Sequence, residues 1–129
     1  MGISFNHTIV AARDKQTSAA FLADLFGLPE PQPFGHFQVV ALEHQASLDY
    51  ADVPAGEPIR PQHYAFLVSE SDFDAIYAKI SDRGLEHWAD PGGSQAGQIN
   101  HRDGGRGVYF RDPAGHNMEI LTRPYGSGG

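Results

Sequence analysis

Two histidines and two acids stand at matching places in the two halves of the sequence. His7 and His63 each lie in the first apolar run of a half, and Asp49 and Glu119 each lie in its last. The histidines are 63 − 7 = 56 residues apart and the acids 119 − 49 = 70, and a long glycine-rich loop absorbs the difference of 14. Imidazole and carboxylate ligands together suit a divalent ion such as Fe, Mn, Ni, Co or Zn. A set of two histidines and one carboxylate leaves positions open for substrate and water. The pattern therefore predicts a catalytic metal site.

Each of these residues also has a plainer interpretation. His7 and His63 could be ordinary hydrogen-bonded strand residues, and the sequence contains neither an HxH nor an HExxH motif. Glu119 could pair with a base such as Arg111, and Asp49 could face solvent. Because a buried, unpaired acid is costly, the metal hypothesis is favoured for His7, His63 and Glu119 taken together. We predict Glu119 and Asp49 as the catalytic groups that move protons.

A small-molecule substrate would lie beside these groups. The residues from Asp90 to Gly107 form a polar loop with six glycines, directly before the strand that leads to Glu119. The loop's other interpretation is a flexible, solvated connection. Aromatic side chains suit a pocket, and a cationic side chain, Arg106 or Arg111, suits a substrate anion. The residues predicted to bind substrate are Arg106, Tyr109, His101, Trp88 and Phe37. The other histidines, His36, His44, His87 and His116, are expected at the surface or in turns.

The elements that must position these residues follow one order in each half: a strand, a helix, then further strands. The predicted strands are residues 3–11, 36–42, 46–51, 62–68, 85–89, 108–111 and 117–122. The first helix is expected to start at a Thr17 or Ser18 cap and to end at Gly27, and the second to run from the Ser69–Asp72 segment to Arg83. A proline-rich connector, 29–35, follows the first helix. The shared order amounts to a weak internal repeat.

Composition limits the partners. The chain has 129 residues, of which 40% are hydrophobic, so it has the size of one domain with a real core. Sixteen acids against nine bases give a net charge of −7, which argues against nucleic acid or an anionic membrane as the main ligand. The absence of cysteine, of a signal peptide and of an apolar run long enough to span a membrane predicts a cytoplasmic protein.

Three segments resemble a known family. They are NHTIV at 6–10, HYAFLV at 63–68 and YFRDPAGHNME at 109–119. The last contains F-x-D-P-x-G-H-x-x-E, and with the others it resembles the vicinal oxygen chelate superfamily, also called the glyoxalase/bleomycin-resistance/dioxygenase superfamily. The resemblance covers nearly the whole chain.

The resemblance implies an α+β fold in which two βαβββ modules form a curled mixed sheet, a half-open barrel, around a metal. Carried over by position, the metal ligands are His7, His63 and Glu119, and the substrate is chelated through neighbouring oxygens. The implied single domain, 1–129, divides into module one (about 1–53), a linker (about 54–61), module two (about 62–125) and a flexible tail (126–129). Short members of this family often form homodimers, which we expect here. Whether one chain or two supply the ligands is left open.

The reaction is less constrained. In the glyoxalase I group a glutamate stands where this chain has Asp49. Fosfomycin thiol transferases usually have threonine where this chain has Ile9, and bleomycin-binding members usually lack the metal ligands. The resemblance slightly favours an enzyme with glyoxalase-like lyase or isomerase chemistry. The alternatives are an extradiol-type dioxygenase and a fosfomycin- or bleomycin-type resistance protein, acting by thiol transfer or by binding.

Overall fold

The chain folds into two compact units that meet in sequence between Arg60 and Pro61. The computed structural model describes residues 2–128. Met1 and Gly129, the first residue of predicted module one and the last of the predicted tail, lie outside the described residues. The elements of the first unit are β1 (His7–Ala12), α1 (Lys15–Phe26), β2 (Gln32–Phe34), β3 (Phe37–Ala41) and β4 (Ser47–Asp52). Those of the second are β5 (His63–Leu67), α2 (Glu70–Asp82), β6 (His87–Trp88), β7 (Gly107–Arg111) and β8 (Asn117–Leu121).

The first unit is a four-stranded mixed sheet in the order β1-β4-β3-β2. β1 runs parallel to β4, with Ile9 opposite Asp49, and the other pairs are antiparallel. α1 contacts β1, β3 and β4. Side chains on alternate strand positions, such as Val10 and Tyr50, are fully buried, whereas Ile9 is 58% exposed. One face of the sheet therefore forms the core and the other carries His7.

The second unit repeats this arrangement, in the order β5-β8-β7-β6. β5 runs parallel to β8, and here Ala65 lies opposite Glu119. In both units the acid thus pairs with the residue two positions after the histidine, which confirms the predicted repeat. Met118 and Ile120 are fully buried, as the predicted alternation requires, and Leu67 is 63% exposed. The α+β fold of two modules is confirmed.

The start of α1 differs from the prediction. Asp14 caps the helix, because its carboxylate accepts hydrogen bonds from the backbone N–H groups of Gln16 and Thr17. Ser18, predicted as a cap, is buried within the helix. The predicted end is confirmed, since Gly27 follows in the left-handed conformation (φ 66°). Ser69 caps α2 by accepting a hydrogen bond from the Asp72 N–H.

A short strand occupies part of the segment predicted as a connector. Gln32–Phe34 forms β2, which pairs with β3 at the edge of the sheet. Proline lacks an N–H donor and is tolerated in strands at such an edge, so Pro33 did not exclude a strand. Conversely, β1 begins only at His7, and residues 3–6 of the predicted first strand lie outside it.

The buried side chain of Asp112 stabilises the turn between β7 and β8. Asp112 Oδ1 accepts hydrogen bonds from the N–H groups of Ala114 (3.1 Å) and His116 (2.8 Å). Burial raises the pKa of the Asp112 carboxyl. His116 lies in this turn, one of the two places predicted for it, but it is fully buried and not at the surface, and its Nδ1 accepts a hydrogen bond from the Gln62 N–H. This turn fixes the register of β8 and hence the direction of Glu119.

Neither helix within residues 2–128 has both the length and the apolar character needed to cross a bilayer.

Candidate functional site

Glu119 is the most deeply buried acid of the described residues. Its side chain is 1% exposed and lies on β8 beside β5. Its Oε1 lies 3.0 Å from His63 Nε2, and its Oε2 accepts a hydrogen bond from the Tyr125 hydroxyl. The His63 side chain is 48% exposed, so the pair connects the core to the open face of the sheet. Arg111, the alternative partner weighed for Glu119, instead donates to Asn117 Oδ1 (3.3 Å).

Two tyrosines and an arginine extend this pair into a network. The Tyr109 hydroxyl lies 2.9 Å from the Tyr125 hydroxyl and accepts a hydrogen bond from Arg102 Nη1 at 2.7 Å. The Tyr109 ring also stacks on His63, with ring centroids 6.0 Å apart. Desolvation, and then the hydrogen bond to Glu119, raise the pKa of Tyr125 well above its usual value. The network therefore holds a protonated phenol against a buried carboxylate.

A cleft of about 160 Å³ opens beside this network in the second unit. Its lining residues are His63, Trp88, Pro91, Tyr109, Phe110, Arg111 and Asn117. The Arg111 guanidinium lies over the Trp88 ring, 4.9 Å from its centroid. The structure thus brings two residues predicted to bind substrate, Trp88 and Tyr109, together with His63. Arg111, one of the two cations that the sequence offered for a substrate anion, lines the same cleft.

The first unit carries a wider cavity of about 450 Å³ on its histidine-bearing face. Its lining residues are Asn6, His7, Gln32, Pro33, Phe34, Val39, Ser47 and Asp49. His7 Nδ1 lies 2.6 Å from Asn6 Oδ1, and Asp49 Oδ1 accepts a hydrogen bond from the Ser47 hydroxyl at 2.8 Å. The predicted substrate contact Phe37 pairs with Phe34 across β2 and β3, and Phe34 is the member that lines the cavity.

Arg106, another predicted substrate contact, lies against α2. Its Nε and Nη1 are each 2.8 Å from a carboxylate oxygen, of Glu70 and Asp74 respectively. Its guanidinium lies over Phe73, 4.4 Å from the ring centroid. Hydrogen bonds from Thr122 and then from Arg106 lower the pKa of Glu70. These contacts favour a structural role for Arg106. His101, also predicted to bind substrate, is exposed and is not among the residues that line the cleft.

The contacts of Arg102 and Arg106 lead to opposite expectations for their alanine variants. Arg106→Ala should lower the free energy of unfolding by about 1 kcal/mol, because it removes two exposed ion pairs and a cation–π contact. Arg102→Ala should leave stability nearly unchanged and lower kcat/KM roughly tenfold, because it removes a charged hydrogen bond to Tyr109. Urea unfolding and steady-state kinetics measure the two effects. A raised KM in Arg106→Ala with normal stability would instead support the substrate contact predicted from the sequence.

The donor set fits a divalent metal ion in its chemistry. Imidazole nitrogen and carboxylate oxygen are borderline-hard ligands, and the His63 nitrogen and Glu119 oxygen already face each other at 3.0 Å. Within residues 2–128, no group of three or more histidine, aspartate or glutamate side chains is arranged to hold an ion. Each unit therefore presents one histidine and one acid.

Comparisons with known proteins agree with this fold. The model of the Glyoxalase/Bleomycin resistance protein/Dioxygenase superfamily matches residues 4–120. Glutathione transferase FosA of Serratia marcescens is 28% identical over 123 residues, 91% of this chain and 79% of that protein. Metallothiol transferase FosB of Lysinibacillus sphaericus is 30% identical over 123 residues, 92% of this chain and 82% of that protein.

Solved structures give a higher identity. Oxidase ChaP-H2 is 58% identical with a TM-score of 0.95, and the match covers 100% of both chains. Oxidase ChaP-H1 is 57% identical with a TM-score of 0.92, over 97% of this chain and 99% of that one. The chain therefore belongs to the Glyoxalase/Bleomycin resistance protein/Dioxygenase superfamily.

Proposed function

We propose that this protein is a metal-dependent oxidase that acts on a small organic substrate bearing neighbouring oxygen atoms. The observation that carries the proposal is the 58% identity, over the whole chain, to a protein named an oxidase. The sequence alone slightly favoured lyase or isomerase chemistry, because the same ligand types serve all of these reactions. The likeness to two oxidases supports the oxygen-using alternative instead.

The proposed ligands are His7, His63 and Glu119, with Asp49 free to act as a base. When bound, a divalent ion would supply Lewis acidity toward the substrate oxygens and, if it is redox-active, access to dioxygen. Glu119 fits this role because it is buried and because, within residues 2–128, its oxygens face the His63 imidazole and the Tyr125 hydroxyl. Asp49 is half-buried, and its Oδ1 accepts a hydrogen bond from the Ser47 hydroxyl, so Oδ2 is the oxygen that we propose for proton transfer.

The chain's other residues would bind and orient the substrate. Arg111 lines the cleft beside His63 and can hold an anionic oxygen of the substrate. Tyr109 donates its hydroxyl hydrogen to Tyr125, whose own hydrogen goes to Glu119, so it would contact the substrate through its ring, which lines the cleft. Trp88 supplies an aromatic wall that excludes water from the same cleft.

Oxygen consumption tests the proposal. The apoprotein would be reconstituted anaerobically with Fe, Mn, Ni, Co or Zn, and each form assayed with a catechol, a hemithioacetal and an epoxide. We expect oxygen uptake with the catechol in at least one redox-active metal form and none with Zn. Turnover of the hemithioacetal without oxygen uptake would overturn the oxidase proposal in favour of lyase or isomerase chemistry.

A second candidate function is thiol transfer to a fosfomycin-type epoxide. Two relatives named as thiol transferases, at 28% and 30% identity, favour it. Epoxide opening that depends on an added thiol, with no oxygen uptake, would support this candidate over the oxidase.

We also propose that the protein forms a homodimer. Ile9 and Leu67 are more than half exposed on the histidine-bearing faces of the two sheets, and Phe34 is 72% exposed. Apolar side chains of this size on open sheet faces are typical of surfaces that pair. Light scattering of the purified protein measures the assembly state directly.

A further inference from the structure

The segment that follows β8, Pro124–Gly128, lies against the loop that precedes β7. Asp103 holds it through two hydrogen bonds: Oδ2 accepts from the Gly126 N–H (3.0 Å) and Oδ1 from the Gly128 N–H (3.1 Å). Arg123 adds a bond to the Ser127 carbonyl at 3.1 Å. Gly128 packs so closely on the Asp103 backbone that a Cβ there would lie within 2.3 Å of it. We call residues 124–128 the C-terminal strap.

The strap places one side chain on the candidate site. Tyr125 is 59% exposed overall, yet its hydroxyl reaches the buried Oε2 of Glu119 and the hydroxyl of Tyr109. The two oxygens of Glu119 are therefore already distinguished. Oε1 faces His63, and Oε2 is taken by Tyr125.

We propose that Tyr125 is a positioning residue, held in place by the strap and Asp103, that orients Glu119 so that only Oε1 is offered to the metal ion. The inference rests on the proposed metal-dependent function. Groups that hydrogen-bond to a ligating carboxylate fix its orientation, and their removal typically costs about 10- to 100-fold in metal affinity. Without the Tyr125 hydroxyl, no hydrogen bond would fix Oε2, and the Glu119 carboxylate group could rotate so that either oxygen faces His63.

Asp103 allows the strap to be tested without touching Glu119 or Tyr125. It has a positive φ of 56°, a conformation that glycine adopts without strain. Asp103→Gly therefore removes both anchors of the strap while preserving the local backbone. If the strap places Tyr125, this change outside the Tyr125–Glu119 contact should reproduce the effect of removing the hydroxyl.

The experiment measures Co²⁺ binding to the apoprotein of residues 1–129, with the visible absorption of bound Co²⁺ as a second readout. We expect Tyr125→Phe to weaken Co²⁺ affinity roughly tenfold and to alter the visible spectrum. Asp103→Gly should do the same. The double variant should bind Co²⁺ no more weakly than Tyr125→Phe alone, because both changes act through the same contact, the hydrogen bond from Tyr125 to Glu119. Tyr77→Phe is the matched control, since it loses a phenol hydrogen bond to His87 (3.2 Å) in the same unit.

The outcomes separate this inference from the proposed function. If the unaltered protein binds Co²⁺ and Tyr125→Phe binds it equally well with the same spectrum, the role of Tyr125 is overturned and the metal site stands. Additive losses in the double variant would overturn the role of the strap. If the unaltered protein binds no Co²⁺, Fe²⁺ or Mn²⁺, the metal-dependent function itself fails. Urea unfolding of each apoprotein, expected to match the parent, excludes misfolding as the cause of a loss.

Discussion

Replacing Glu119 by glutamine is expected to weaken metal binding by more than about a hundredfold, beyond the loss typical of residues that only support a ligand. The amide has nearly the same shape as the carboxylate and its oxygen can still accept a hydrogen bond from Tyr125. It is, however, neutral, so it no longer compensates the charge of a divalent ion. Because Glu119 is only 1% exposed, water cannot reach this position to solvate the uncompensated charge of the ion.

The proposed oxidase activity should fall with the metal, to less than about a hundredth of the parent value at micromolar Fe²⁺. Metal content after dialysis, titration with Co²⁺ and oxygen uptake measure the effect. Glu86→Gln is the matched control, because Glu86 is an exposed acid in the same unit. A Glu119→Gln protein that keeps stoichiometric metal would remove Glu119 from the ligand set and leave it a purely structural partner of His63.

The direction of the Glu119 side chain could be predicted from the sequence, because strand periodicity and one turn determine it. An acid inside an apolar run, two strands of clear alternation and an Asp-Pro-Ala-Gly turn fix which way the side chain points. The equivalent positions of Asp49 and Glu119, each opposite the residue two places after a histidine, follow from the same regularity. A repeat and a periodicity are both patterns in the order of residue types, so a single sequence is enough to detect them.

Tyr125 and Arg102 could not be found in this way. Their contacts join the end of the chain to a glycine-rich loop, and no spacing rule links Tyr125 to Glu119. Arg102 and Arg106 lie in one loop, yet Arg102 contacts Tyr109 and Arg106 contacts α2. The positive φ values of Asp103 and Gly104 separate the two directions, and sequence alone does not specify such a path.

The reaction was also beyond the sequence, for a chemical reason. Two histidines and a carboxylate hold an ion in lyases, thiol transferases and oxygen-using enzymes alike, so the ligand types do not select among them. Under the proposed function, the reaction is selected by the cleft beside His63, which Trp88, Tyr109 and Arg111 line. Whole-chain likeness to two proteins named as oxidases is what favours the oxygen-using alternative.

The second large effect concerns the first unit, where His7 and Asp49 line the same cavity but are assigned different roles. His7→Ala should weaken metal binding as strongly as His63→Ala, by more than about a hundredfold, because each removes one of the proposed ligands. Asp49→Asn should retain the metal within a few-fold and lower kcat by about a hundredfold or more, the usual contribution of a general base. The base role is proposed for Asp49 because its side chain is one methylene shorter than that of a glutamate, and because its Oδ1 already accepts a hydrogen bond from the Ser47 hydroxyl at 2.8 Å.

Metal content and kcat, measured on the same preparations, separate the two roles. His36→Ala is the control for His7→Ala, since His36 is an exposed histidine in the same unit. Loss of metal from Asp49→Asn would make Asp49 a fourth ligand, and would then assign proton transfer to Glu119 or to Tyr109. Retention of metal by His7→Ala would show that the ion is held by the second unit without the first, and the internal repeat would then have preserved a histidine that no longer binds metal.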